Sequence, residues 1–244
     1  MLDKKAANLN NNSIKFIIIK KQIMEKVIII LTGAPGSGKG YLGECLIKTL
    51  QESGKISANE MVIISTGDLI RREIKSESAL GYKIKSIMEA GEFVSDEIIA
   101  SLLKENLLNN PARITILDGY PRTEGQVSDL ARIIGNRPVY IIHRDTPSDL
   151  ILKRIQNRRI CEKCGKVQTA DHADCVSCHG KLVMRKDDAA IEKRLELYAK
   201  ETVPALELLR MAYPYRCCVV NGQEDAEVSV RYLISEPLAE LFEK

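Results

Sequence analysis

The eight residues Gly33-Ala34-Pro35-Gly36-Ser37-Gly38-Lys39-Gly40 constrain this chain more than any other feature. They follow the apolar run Val27-Ile28-Ile29-Ile30-Leu31, which reads as a buried strand. They precede Leu42, Cys45, Leu46 and Leu50, spaced i, i+3, i+4, i+8 as on one face of a helix. Glycines between a strand and a helix let backbone N–H groups approach phosphate oxygens with no Cβ in the way, and the helix N-terminus adds the positive end of its dipole. Lys39 is then placed to reach β- and γ-phosphates. The general form G-x4-G-K-[S/T] is met except at its last position, where Gly40 lacks the hydroxyl that usually helps to hold Mg²⁺. The loop specifies a nucleotide phosphate but not a reaction. A guanine-reading Asn-Lys-x-Asp is absent from the sequence, which argues against a signalling GTPase.

The rest of the chain supplies a scaffold for such a loop. Strand-like runs recur at Val27–Leu31, Met61–Ser65, Ile114–Leu117, Val139–Ile142 and Cys217–Val220, separated by segments of helical period. Thr146-Pro147-Ser148-Asp149 predicts a helix start, with Thr146 as cap and proline in the first helical position. Strands alternating with helices imply right-handed crossovers and a parallel sheet covered on both faces, an α/β fold. At 244 residues the chain is one large domain or one domain with insertions. Residues 1–23 differ in character, with Asn8 to Asn12 flanked by lysines, and read as a weakly ordered extension. Met24 is an alternative start, which leaves 24–244 as the working domain. Residues 160–182 break the alternation and read as an excursion from the core.

Charge and hydropathy exclude several function classes. Lys+Arg 36 against Asp+Glu 33 leaves +3, so no global field draws in nucleic acid, and aromatics are only 5%. The longest apolar runs, Phe16–Ile19 and Val27–Leu31, fall far short of the roughly 20 residues that span a bilayer. No signal peptide is recognisable. The expectation is a cytoplasmic protein with no nucleic-acid or membrane partner.

The loop variant Gly-x-Pro-Gly-x-Gly-Lys-Gly resembles that of the nucleoside monophosphate kinases, adenylate kinase above all, and further motifs extend the resemblance over residues 26–222. It implies a five-stranded parallel sheet flanked by helices with two mobile insertions, about 67–95 over AMP and about 159–185, the lid, over ATP. It also implies a reversible transfer from Mg-ATP to AMP giving two ADP, by a monomer. The phosphate loop residues Gly36, Ser37, Gly38, Lys39, Gly40 and Tyr41, with Arg154, are implied to bind ATP. Ile64-Ser65-Thr66-Gly67-Asp68-Leu69-Ile70-Arg71 is similar to the acceptor motif, in which Thr66 marks adenylate kinases against pyrimidine-nucleotide relatives and Arg71 holds the AMP phosphate. Val94 is implied to meet adenine through its backbone. In Leu117-Asp118-Gly119-Tyr120-Pro121-Arg122-Thr123, followed by Gln126, the resemblance assigns Gly119, Arg122 and Gln126 to AMP. Arg122, Arg158, Arg185 and Arg194, with Lys39, are implied to surround the moving phosphoryl group, Arg185 and Arg194 also serving AMP. Asp118, ending a strand, is placed to organise Mg²⁺ through water. Two nucleotides carry roughly five to six negative charges, which Lys39, six arginines and Mg²⁺ can balance. The acceptor is a phosphate oxygen, ionised near neutral pH, so no general base is needed. A cytidylate or uridylate kinase of the same fold is the alternative reading, disfavoured by Thr66. A zinc-ribbon nucleic-acid binder is disfavoured by the charge and aromatic content.

Cys161-Glu162-Lys163-Cys164 and Cys175-Val176-Ser177-Cys178 form two C-x2-C knuckles separated by ten residues. Four thiolates so spaced suit a closed, structural tetrahedral Zn²⁺; His172 and His179 are spare ligands, and disulfides would require an oxidising compartment. They lie where many adenylate kinases carry a zinc-bearing lid. Cys45, Cys217 and Cys218 read as small buried hydrophobes. Three features depart from the family pattern: Tyr41 stands where threonine is usual, the Asp188–Arg194 spacing is about two residues short, and the 1–23 extension has no counterpart.

Overall fold

The computed structural model describes residues 26–89, 94–185, 188 and 190–242. The 1–23 extension lies outside the described residues, as do Lys186 and Asp187 of the closing motif. Five parallel strands form the sheet: β1 (Val27–Thr32), β2 (Met61–Ser65), β3 (Ile114–Asp118), β4 (Val139–Asp145) and β8 (Cys217–Asn221), in the order β2-β3-β1-β4-β8. Each strand expected from the sequence is present within a few residues.

β1 is central, and its run of Ile28, Ile29 and Ile30 is fully buried because both sheet faces are covered. Ile29 and Leu31 face one core with Leu42, Leu46 and Leu50 of α1 (Lys39–Glu52) and Val230 and Leu233 of α9 (Ala226–Ser235). Ile28 and Ile30 face the other core with Leu103 of α4 (Asp96–Leu108), Leu130 of α5 (Glu124–Ile134) and Leu206 and Leu209 of α8 (Val203–Ala212). Each such fully buried aliphatic side chain is worth about 1.5–3 kcal/mol. A charge placed on either face of β1 would therefore forfeit that gain and add a desolvation cost.

The strand order places the site. The chain leaves β1 toward β2, returns to β3, then crosses to β4 on the other side of β1, opening a crevice above the carboxyl ends of these strands. Register aligns those ends: Leu31 and Ser65 both lie opposite Asp118, Thr32 opposite His143, and Asp145 opposite Asn221. The segments that follow, 33–40, 66–71, 119–126 and 146–154, converge on one rim.

Two excursions stand out from this core. After β2 come α2 (Thr66–Lys75) and α3 (Ala79–Glu89). After α6 (Ser148–Asn157) the chain forms a separate antiparallel sheet of β5 (Arg158–Cys161), β6 (Val167–Thr169) and β7 (Leu182–Val183), in the order β6-β5-β7. It returns through α7 (Ile191–Leu197) and a π-helical segment, Tyr198–Thr202, into α8. The start of α6 differs from the sequence reading by one residue: Pro147 caps the helix, and the Thr146 hydroxyl donates to the Ser37 carbonyl at 3.2 Å instead of capping.

Candidate active site

The phosphate loop is bent by its glycines. Gly36 has φ +84°, and a Cβ there would come within 2.7 Å of Ile155 Cδ1, so both its conformation and its contact with α6 require glycine. The Ser37 carbonyl accepts from Arg144 Nε at 3.0 Å, Arg154 Nη1 at 3.0 Å and Thr146 Oγ1. Arg154 also donates through Nη2 to the Gly222 carbonyl at 2.7 Å, so it meets the donor side of the cleft through protein carbonyls. Tyr41 turns away from the loop: its ring is 59% exposed and its hydroxyl lies 3.4 Å from Glu227 on α9.

Lys39 sits where charges converge. Burial pushes its ammonium down to about 8, Asp118 opposes the shift, and Arg122, Arg194 and Arg185 lie close enough to add to it. Residues from three other segments of the chain, the 118–122 stretch, Arg185 and Arg194, thus act on one amine. α7 starts at Ile191, between Asp188 and Arg194, and Arg194 Nη1 lies 3.6 Å from Asp188. The same buried Asp188 carboxylate pairs with Arg158, whose Nε donates at 3.1 Å. Asp188 thereby joins the first residue of the excursion sheet to the helix that follows it.

Across the crevice, where the sequence places the acceptor motif, Thr66 is buried and donates its hydroxyl to the Gly119 carbonyl at 3.0 Å. Arg122 Nε donates to the same carbonyl at 2.7 Å. Gln126 is held at both ends of its amide: Oε1 accepts from the Arg122 N–H at 2.8 Å and Nε2 donates to Asp96 at 2.7 Å. One amide N–H and one lone pair remain for a ligand. Arg71 lies on the exposed side of α2 in an ion pair with Asp68, and Val94 is buried. Asp118 Oδ1 is buried and has no hydrogen-bond partner among the described residues, and Oδ2 lies 3.5 Å from where a Cβ on Gly40 would stand. An orphaned carboxylate oxygen beside the phosphate loop fits a role in holding a hydrated Mg²⁺.

The sulfurs of Cys161, Cys164, Cys175 and Cys178 all lie within 4.8 Å of one another. The Cys161–Cys178 and Cys164–Cys175 separations of 3.5 and 3.6 Å are too long for disulfides and suit the edges of a thiolate tetrahedron. Burial, the largest single influence, opposes ionisation of Cys175, but the backbone N–H groups of Ser177 and Cys178 together with the Cys164 and Cys178 thiols outweigh it and bring this thiol down to about 6. A Cβ on Gly180 would fall 2.8 Å from the Cys161 sulfur, so this knuckle closes only over glycine. The residues present can hold a thiophilic metal.

Comparison with known proteins decides the family. The adenylate kinase family model matches residues 31–212. The chain belongs to the adenylate kinase family. The adenylate kinase of Thermosipho melanesiensis is 33% identical, over 85% of this chain and 97% of its own length. That of Treponema denticola is 37% identical over 73% of this chain and 84% of its own. That of Geobacillus sp. (strain WCH70) is 34% identical over 82% and 93%. The pyrimidine-nucleotide alternative is not favoured. Within this adenylate kinase framework, sequence reasoning missed Asp96 and Arg144. Asp96, on another helix, accepts from both Thr123 and Gln126, and Arg144 lies just past the strand-like run Val139–Ile142 with nothing in its neighbourhood to mark it. Neither position carries a local signal, because each acts on residues far away in the chain.

Proposed function

We propose that the crevice above β1, β3 and β4 carries out reversible phosphoryl transfer from Mg-ATP to AMP, giving two ADP, with the residues in the roles the family resemblance assigns them. The observation that carries this reading is that Asp118, Arg122, Arg185 and Arg194 all act on the buried Lys39 amine, with Asp118 beside Gly40 of the phosphate loop and Arg122 sharing the Gly119 carbonyl with Thr66. An AMP phosphate oxygen attacks the γ-phosphorus, the bond to the β–γ bridging oxygen breaks, and ADP leaves with that oxygen. The acceptor's second pKa of about 6 means that no base must remove a proton. Catalysis is then alignment and charge neutralisation. Lys39 and the arginine forks bind equatorial phosphate oxygens, and bidentate guanidinium grips fix their direction. Mg²⁺, held near Asp118, would neutralise charge on the β- and γ-phosphates. Thr66 and Gln126 orient the purine, Arg71 the AMP phosphate, and Arg154 borders ATP; Tyr41, its ring turned away, contributes only its backbone N–H in the first turn of α1.

Residues 67–95 would close over AMP and 159–185 over ATP, excluding the water that competes as acceptor. The adenylate kinase lid is the standard example of such closure. The four cysteines would hold structural Zn²⁺, letting a short, hydrophobe-poor flap behave as one body. A monomeric, cytoplasmic enzyme without nucleic-acid or membrane partners completes the reading, with 24–244 as the kinase domain. Among the described residues no helix is long and apolar enough to cross a membrane. The test is Lys39→Met: losing one electrostatic contact of about 3–4 kcal/mol in the transition state should cut turnover at least a hundredfold while ATP binding weakens far less. Near-normal turnover would remove the loop from the catalytic site.

A further inference from the structure

Arg144 stands near the end of β4, a strand buried from Val139 to Arg144, and is itself only 3% exposed. A charge in such a place costs several kcal/mol unless its hydrogen-bonding groups are well matched. Its partners are carbonyls: Nε donates to Ser37 O at 3.0 Å and Nη2 to Glu224 O at 2.9 Å, while Nη1 is buried without a partner among the described residues. Burial and the neighbouring charge of Arg154 both work against the guanidinium. Packing alone would favour an aliphatic side chain here.

The geometry of the Ser37–Gly38 peptide supplies the compensation. The peptide is planar and trans, so the Ser37 C=O and the Gly38 N–H point in opposite directions. Three donors, from Arg144, Arg154 and Thr146, converge on that one carbonyl, which has two lone pairs. They pull it beneath the loop and so turn the Gly38 N–H to the opposite side, at the N-terminus of α1 where phosphate binds. Arg144 and Arg154 then continue to Glu224 O and Gly222 O, strapping the phosphate loop to the turn after β8.

We propose that Arg144 is a positioning residue for the donor triphosphate, holding the Ser37–Gly38 peptide in its phosphate-facing orientation and tying it to the 222–224 turn. This rests on the reading of residues 33–40 as the donor loop. It makes Arg144 specific to one substrate, since the AMP pocket is built from α2, α4 and the 119–126 segment.

The test compares wild type, R144M and R144K by thermal melting, by KM for ATP and for AMP, and by the Kd of inorganic tripolyphosphate, which probes the loop without a base. R144M should raise KM for ATP and Kd for tripolyphosphate about tenfold, leaving KM for AMP within twofold. R144K, which keeps the charge but not the fork, should recover only part of the loss. A purely structural role would lower the melting temperature and move both KM values together, and that result would overturn the proposal. So would unchanged tripolyphosphate binding in folded R144M, or in R144K should R144M not fold. Failure of wild type itself to bind tripolyphosphate would instead overturn the underlying reading of the loop.

Discussion

Lys39 is the residue on which the electrostatics of the site turn, and its titration gives a direct signature. Its ammonium is held at about 8 against an ordinary 10.5. Between those values the unfolded chain binds more protons than the folded one, so this residue makes the empty protein more stable as pH rises from 8 toward 10.5. It withdraws that contribution as pH falls through 8. A bound triphosphate favours the charged amine. Tripolyphosphate exchanges protons of its own, so the signature is the difference between wild type and Lys39→Met: at pH 8.5 wild type should take up part of a proton more than the variant on binding, and at pH 6.5 the two should agree. Calorimetry in two buffers of different ionisation enthalpy measures this difference; equal proton exchange in the two proteins at pH 8.5 would contradict the assignment. Tyr41 tests the same loop from outside. Its ring packs toward α9, with a long, exposed contact to Glu227, so little holds it in place. Tyr41→Thr should tighten ATP or raise turnover by about 1 kcal/mol, the net worth of one hydrogen bond. Steady-state kinetics showing a tenfold loss would mean that the ring has a positive role.

The two excursions show what local pattern can and cannot reveal. The cysteine cluster was legible because cysteine spacing is itself the signal, and the strand end at Cys161 and the turns carrying Cys164, Cys175 and Cys178 bring the four sulfurs within 4.8 Å of one another. Cys161→Ser should remove one ligand, lower the metal content from about one ion per chain, and destabilise the excursion while the five-stranded core stays folded. Metal analysis with two-probe thermal unfolding checks this, and metal-free wild type purified under reducing conditions would contradict it. The Thr146 cap was misplaced for the opposite reason. Its sequence context is that of a capping residue, but a carbonyl 109 positions away competes for its hydroxyl. Arg144, Asp96 and the Tyr41–Glu227 contact were invisible for the same cause: each is created by strand order rather than by neighbours in sequence. The phosphate loop, the Thr66 motif and the 117–126 segment were legible because each completes its recognition within a few residues of one strand end.

At the scale of the molecule, one structural fact organises the function. Parallel strands in the order β2-β3-β1-β4-β8 bring the ends of four distant segments to the same rim, and the proposed substrate contacts lie on that rim, on the two excursions beside it and, for Arg194, on the returning helix α7. The two apolar cores fix the register that sets those ends level. In the proposed reading, acceptor specificity is set at one end of the crevice, where Thr66 and Gln126 are held by Gly119, Arg122 and Asp96. The most direct measurement is a coupled assay of ADP formation with AMP, CMP, UMP and GMP side by side at fixed Mg-ATP. This account predicts a strong preference for AMP that Thr66→Ala relaxes toward CMP or UMP; equal wild-type rates with AMP and CMP would contradict it.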